Sequence, residues 1–183
     1  MKIVFMLEEP SMKYLLDELL PKILPSYIAY QTIPHNGRNA LRRSLLNKLR
    51  GWNEPEARFV VVHDQDAQDC VELKNSLSLF CAQSKRNVLI RIACQELESW
   101  YFGDLNAVAK AYGKEKMVFI SEKKQFRNPD SIQNPKEALR ELLPEHQQIA
   151  GAKLIAQFMD INSNTSASFN CFVSGVQRFA GLR

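Results

Sequence analysis

Three short apolar runs in this 183-residue chain each end in carboxylates. KIVFML, residues 2–7, is followed by Glu8 and Glu9; RFVVVH, residues 58–63, by Asp64, Asp66 and Asp69; and NVLIRIA, residues 87–93, by Glu96 and Glu98. If the runs are strands of one sheet, their acids share a rim. Carboxylates crowded in that way repel one another unless a cation lies between them, and hard oxygen donors suit Mg2+ or Mn2+. A divalent ion on one or two carboxylates, with water and phosphate oxygens in its other positions, is the usual apparatus of phosphoryl transfer. Each acid alone has a plainer origin: a carboxylate where a strand turns into a helix caps that helix or meets its dipole, for about 1 kcal/mol. Asp64-Gln65-Asp66 offers more acid than one cap uses.

Whether these acids meet depends on the elements between them. After Pro10 and Ser11, the residues Met12, Leu15, Leu16, Leu19 and Leu20 have helical spacing, with the proline in the first turn. SYIAYQTI, residues 26–33, alternates like a strand and is ended by Pro34, His35, Asn36 and Gly37. Leu41, Leu45 and Leu49 predict a helix over 38–51, stopped by Gly51. Further helices are expected over about 67–84 and 96–112. This alternation of strand and helix is that of βαβ units on a mainly parallel sheet, where ligands collect beyond the C-terminal strand ends. The rest reads differently: MVFI at 117–120 is a candidate edge strand, helices are expected near 136–143 and 146–158, and an Asn- and Ser-rich loop, 162–168, precedes a last amphipathic helix. The expectation is a single α/β, Rossmann-like domain over 1–183. Its βα core would span 1–113, with a mostly helical extension over 114–183 packed on that core.

Composition narrows the class. Twenty-four Lys and Arg against 20 Asp and Glu leave a net charge of +4, too mild to mark a nucleic-acid binder by itself. No apolar run reaches the roughly 18–20 residues of a membrane span, and MKIVFMLEEP reads as a first strand rather than a signal peptide. Cys70, Cys81, Cys94 and Cys171 form no CxxC pair, which points to a reducing cytoplasm. None of the glycines falls in a phosphate-loop or dinucleotide-binding motif.

Arg38, Arg42, Arg43, Lys48 and Arg50 follow one another without an intervening acid. Arg43 and Arg50 share a helix face, and guanidinium forks suit phosphate, so Arg38, Arg43 and Arg50 are candidate substrate contacts, against the alternative of a solvated face. His35 would join them on the rim as a phosphate-orienting group or proton carrier, or serve only as a turn residue. His63 should point away from Asp64 and be structural. Lys114, Lys116, Lys123, Lys124 and Arg127 surround Phe119 and Phe126, as in single-strand binding surfaces or at an ordinary sheet edge. Trp100 and Tyr101 read as core.

The glutamate closing the first strand, FMLEEPS, and the Asp-x-Asp closing a later one, VVVHDQD, resemble the Toprim domain of topoisomerases, DnaG-type primases and OLD-family nucleases. LEEPS, IPHNGR, FVVVHDQDAQDC, RIACQELESWYFGD, FRNPD and the late Asn/Ser loop are similar to a bacterial Toprim-like family, domain of unknown function 4276, over nearly the whole chain. The resemblance implies phosphodiester hydrolysis with Mg2+ or Mn2+. Glu8 would be the general acid or base, or a metal-linked carboxylate, and Asp64 and Asp66 the metal ligands. Glu96 or Glu98 of ELESW would hold a second ion, with Glu96 favoured to face the site. Glu9 departs from the family pattern, because Toprim domains commonly carry glycine there. The resemblance further implies a nucleic-acid substrate and a role in phage defence beside an ATPase partner. Two rivals remain: a signalling receiver phosphorylated on Asp64, and a non-catalytic Toprim-like partner protein.

Overall fold

Four strands, β1 (Lys2–Leu7), β2 (Ala29–Pro34), β3 (Arg58–Asp64) and β4 (Val88–Ala93), form one sheet in the order β2-β1-β3-β4. Every strand pair is parallel, as the alternating pattern predicts. They are seen in a computed structural model that describes residues 1–182. The helices are α1 (Pro10–Ile23), α2 (Arg38–Arg50), α3 (Cys70–Ala82), α4 (Glu98–Phe102), α5 (Leu105–Tyr112), α6 (Pro135–Leu142), α7 (Gln148–Phe158) and α8 (Ala167–Phe179). Among the described residues, no helix is long and apolar enough to cross a membrane.

The central strands β1 and β3 are buried almost throughout because both faces are covered, whereas the edge strand β2 carries Gln31 and Thr32 and is only partly buried, and the two-residue period sorts the buried side chains into two cores. Ile3, Phe5, Leu7, Val60 and Val62 pack with α1 and the C-terminal helices. Val4, Met6, Phe59, Val61, Ile90 and Ile92 pack with Leu41, Leu45 and Leu49 of α2 and Leu73 and Leu77 of α3. The leucine spacing of 38–51 thus serves a helix lying on one face of the sheet. Parity at a strand end then decides on which side of the sheet the next polar residue emerges.

Two expectations are corrected. The helix expected over 96–112 is broken between α4 and α5. Asp104 accepts the Ala107 N–H (3.0 Å) to start α5 and, through its other oxygen, the Asp160 N–H (2.9 Å). The backbone leaves the helical region at Asp104 (φ −135°, ψ 70°), and the preceding Gly103 packs so closely on Asn164 of the loop 162–168 that a side chain there would overlap it. MVFI is not an edge strand. It lies in a 3-10 helix, Glu115–Glu122, of which only Met117 is buried, and β4 packs against α8 instead.

Trp100 and Tyr101 are core, as expected. Trp100 lies against Phe169 and Phe172 and donates its indole N–H to Ser168 Oγ (2.9 Å). Asp130 ties down the Asn/Ser loop, accepting from Ser166 Oγ (2.7 Å), Ser168 Oγ (2.8 Å) and the Ser168 N–H (2.9 Å). Asp130→Ala strands those donors in a part-buried setting. It should cost about 2–4 kcal/mol, read as a lower urea midpoint with an unchanged slope.

Candidate functional site

β1 hands the chain to β2 on one side while β3 lies on its other side, so the C-terminal ends of β1 and β3 bound a topological switch point. Glu8 sits in it, its N–H on Val62 O (3.2 Å) and its carbonyl accepting the Gly37 N–H (2.9 Å). Leu7 pairs with Val62 across the two strands, which makes Glu8 and His63 the next facing positions on the α2/α3 side. His63 Nδ1 lies 2.8 Å from Glu8 Oε2, and the Asp64 N–H donates to the same oxygen at 3.0 Å. The ring is 4% exposed, and its Nδ1 also lies 2.6 Å from the Asp64 carbonyl oxygen. Burial pulls the His63 pKa down, but the hydrogen bond and charge of Glu8, helped by the Asp64 carbonyl and Asp66, outweigh it and leave it raised. His63 does point away from Asp64. That direction delivers the ring to Glu8, which it holds in place.

Asp64 emerges on the opposite face of the sheet. It is buried, and its Oδ1 has no hydrogen-bond partner. Burial first, then the charges of Glu9, Glu8, Glu98 and Asp66, push its pKa well above the usual carboxylate range. Glu98 opens α4 at 2% exposure. Burial chiefly pushes its pKa up to about 7, with Glu9 and Glu96 adding to the rise and Lys136 opposing it. One turn along α4, the buried Tyr101 hydroxyl also lacks a partner, and burial followed by Glu98, Glu9 and Asp64 raises its pKa.

Asp66 completes the rim in the left-handed region, with φ of 51°. Its N–H donates to the carbonyl of Gln95 (2.7 Å), itself at φ 60°. Two non-glycine residues held there side by side cost energy that an ordinary turn would not need to spend. Arg38 Nη1 stands 3.5 Å from Asp66 Oδ2. Burial and Glu8 raise the Asp66 pKa against the opposing charge of Arg38. Glu9 occupies the N-cap position of α1 and holds Ser11 Oγ and Gln148 Nε2 (2.8 Å).

The two acids of ELESW part company: Glu98 is the one buried beside Asp64. Glu96 accepts the Lys136 N–H (3.0 Å) at the start of α6 and lines, with Asp66 and Gln95, a shallow recess of about 200 Å3. Asp69 proves to be a helix cap, taking the Val71 and Glu72 N–H groups.

The basic candidates divide. Arg38 is at the rim. Arg43 and Arg50 are not brought to it: α2 carries them away, Arg50 by roughly 18 Å of helix axis, to end on the Gln83 carbonyl. His35 is no free proton carrier, because Nδ1 is bonded to Leu7 O (2.8 Å) and Nε2 to Lys48 Nζ (2.7 Å). Burial, with Lys48 assisting against the Leu7 bond, lowers its pKa and keeps the ring neutral near pH 7. Phe126 is buried and stacked on Phe102 (5.2 Å between centroids), which removes it from any stacking surface. Sequence reading missed Tyr101 as a polar neighbour of the acids. It also missed Asn39 and Gln68, which no local pattern marks.

Among the described residues, no three His, Cys, Asp or Glu side chains stand in an arrangement that could hold a metal ion as they are. The donors nevertheless fit a hard divalent cation in kind. They are oxygens of one sign, and the buried Asp64 Oδ1 has no other partner. No curated protein and no solved structure matches the chain. The profile of a family described as "Domain of unknown function (DUF4276)" matches residues 7–177. The chain therefore belongs to the DUF4276 family.

Proposed function

We propose that this protein is a divalent-metal-dependent nuclease hydrolysing phosphodiester bonds at the β1/β3 rim. The observation that carries the reading is Asp64: a buried carboxylate whose Oδ1 has no partner, with four other carboxylates as its charged neighbours. That arrangement is unfavourable unless it serves a cation or a proton. Asp64, Asp66 and Glu98 would hold Mg2+ or Mn2+. The ion, when bound, would neutralise charge on the phosphate and acidify a water.

The chain's own groups do the rest. Glu8 Oε2 is fixed by His63 and the Asp64 N–H, leaving Oε1 to take or return a proton at the attacking or leaving oxygen. Arg38, beside Asp66, orients the phosphate. All four cysteines are free thiols, which suits a reducing cytoplasm. The Toprim resemblance extends the proposal to DNA or RNA substrates and to an ATPase partner in phage defence.

One observation favours a second reading, a non-catalytic Toprim-like partner: the acids do not form a three-ligand group. The receiver reading loses the fifth strand that would present its lysine, since residues 115–122 are a 3-10 helix. Purified protein should cut DNA or RNA with Mn2+ or Mg2+ and stop in EDTA, and Glu8→Gln should slow cleavage by roughly 10²-fold or more. Absence of cleavage, together with no Mn2+ binding in calorimetry by the folded chain, overturns the nuclease in favour of the second reading.

A further inference from the structure

The side of the Glu8–His63 pair turned away from Asp64 is not acidic. Between α2 and α3 lies a recess of about 260 Å3, lined by Arg38, Asn39, Arg42, His63 and Gln68 over a floor of Leu73 and Leu77. No carboxylate lines it. Arg42 is braced on the ring of Phe80 at 5.9 Å. His63 makes both its polar contacts through Nδ1, so Nε2 is the ring atom left for a ligand. A phosphate monoester presents three terminal oxygens to such a site, and an internal diester only two. The Arg42 guanidinium and the amides of Asn39 and Gln68 are donors for those oxygens, and Arg38, 3.5 Å from Asp66, stands between the recess and the rim.

The shape selects as well. Leu73 and Leu77 belong to the core shared with Leu41 and Leu45, so the recess ends blindly against packed side chains. An internal phosphodiester carries chain on both sides and needs two exits. A strand end needs one. At about 260 Å3 the recess lies just under the roughly 300 Å3 at which drug-sized pockets begin, room for a phosphate and its ester carbon.

We infer that this recess binds the terminal phosphate monoester of a nucleic-acid strand and thereby sets a bond near that end over the carboxylate rim. The inference rests on the nuclease reading for its purpose but not for its binding test. Single-stranded oligonucleotides bearing a dye at the opposite end and a 5′-phosphate, a 3′-phosphate or only hydroxyl termini are titrated in EDTA and followed by anisotropy. One phosphorylated terminus should bind at least about 10-fold more tightly than hydroxyl ends, and which one identifies the polarity. Arg42→Ala, at an exposed position, should erase that preference without moving the melting temperature, and Arg42→Lys should restore part of it. Cleavage of linear phosphorylated and circular strands with Mn2+ is then compared. Circles cut as fast as phosphorylated linear strands, or no preference in binding, overturn the recess and leave the nuclease standing. Selective binding with no cleavage of any substrate keeps the recess and overturns the nuclease.

Discussion

Asp64→Asn should abolish metal-dependent cleavage, by roughly 10³-fold or more, and at the same time raise the melting temperature near pH 8. The two effects share one cause. Asp64 is buried among like charges with an unpartnered oxygen, so the folded state holds its ionised form poorly. An amide at that position carries no charge and gives the surrounding carboxylates a donor to meet. The sign follows from linkage. The folded pKa lies above the unfolded one, so the parent is fully stabilised below the unfolded value and loses that stability as pH rises through the folded value. The variant should therefore exceed the parent by about 2 kcal/mol or more in EDTA at pH 8, several degrees in melting temperature, and the gap should close toward pH 4. Thermal scans across pH check one half and a cleavage assay the other. A variant that still cuts, or that melts lower than the parent at pH 8, refutes the role given to Asp64.

Glu98→Gln should flatten the pH dependence of stability. Glu98 is 2% exposed, and burial pushes its pKa up to about 7 from an ordinary 4.5. Its contribution is complete below the unfolded pKa and is lost as pH rises through about 7, a fall of about 3 kcal/mol. The parent should thus weaken between pH 5 and pH 8 in EDTA, and the glutamine variant should keep most of its stability. Mn2+ reverses the parent's loss, since a ligand at about 100 times its Kd adds about 2.7 kcal/mol; either variant should gain less. Because Glu98 and Asp64 feel each other's charge, the double variant should gain less than the sum of the two. Equal Mn2+ shifts in parent and variants would remove both acids from the proposed site.

Much of this protein is legible in local residue order. The unbroken apolar runs KIVFML and RFVVVH, the leucines of α2 and the turn residues after each strand determine a parallel α/β sheet, because those signals act between neighbours in the chain. They also determine that Glu8, Asp64 and Asp66 lie at strand ends on one rim. Even the meeting of Glu8 with His63 was latent in strand parity, though it needed the β1/β3 register to become visible.

Only the tertiary structure decided the rest. Glu98 faces Asp64 and Glu96 does not because the Lys136 N–H, forty residues away, claims Glu96. The helix expected over 96–112 breaks at Asp104, whose carboxylate caps α5 and takes the Asp160 N–H from a distant loop. Arg43 and Arg50 carry the same charge as Arg38, yet the axis of α2 takes them off the rim, while Arg42 is turned into the recess beside His63. Which carboxylate is buried, which arginine lines a pocket and which histidine is already committed depend on contacts between distant segments. Burial and partner geometry set their chemistry, and neither is encoded in the neighbours of a residue along the chain.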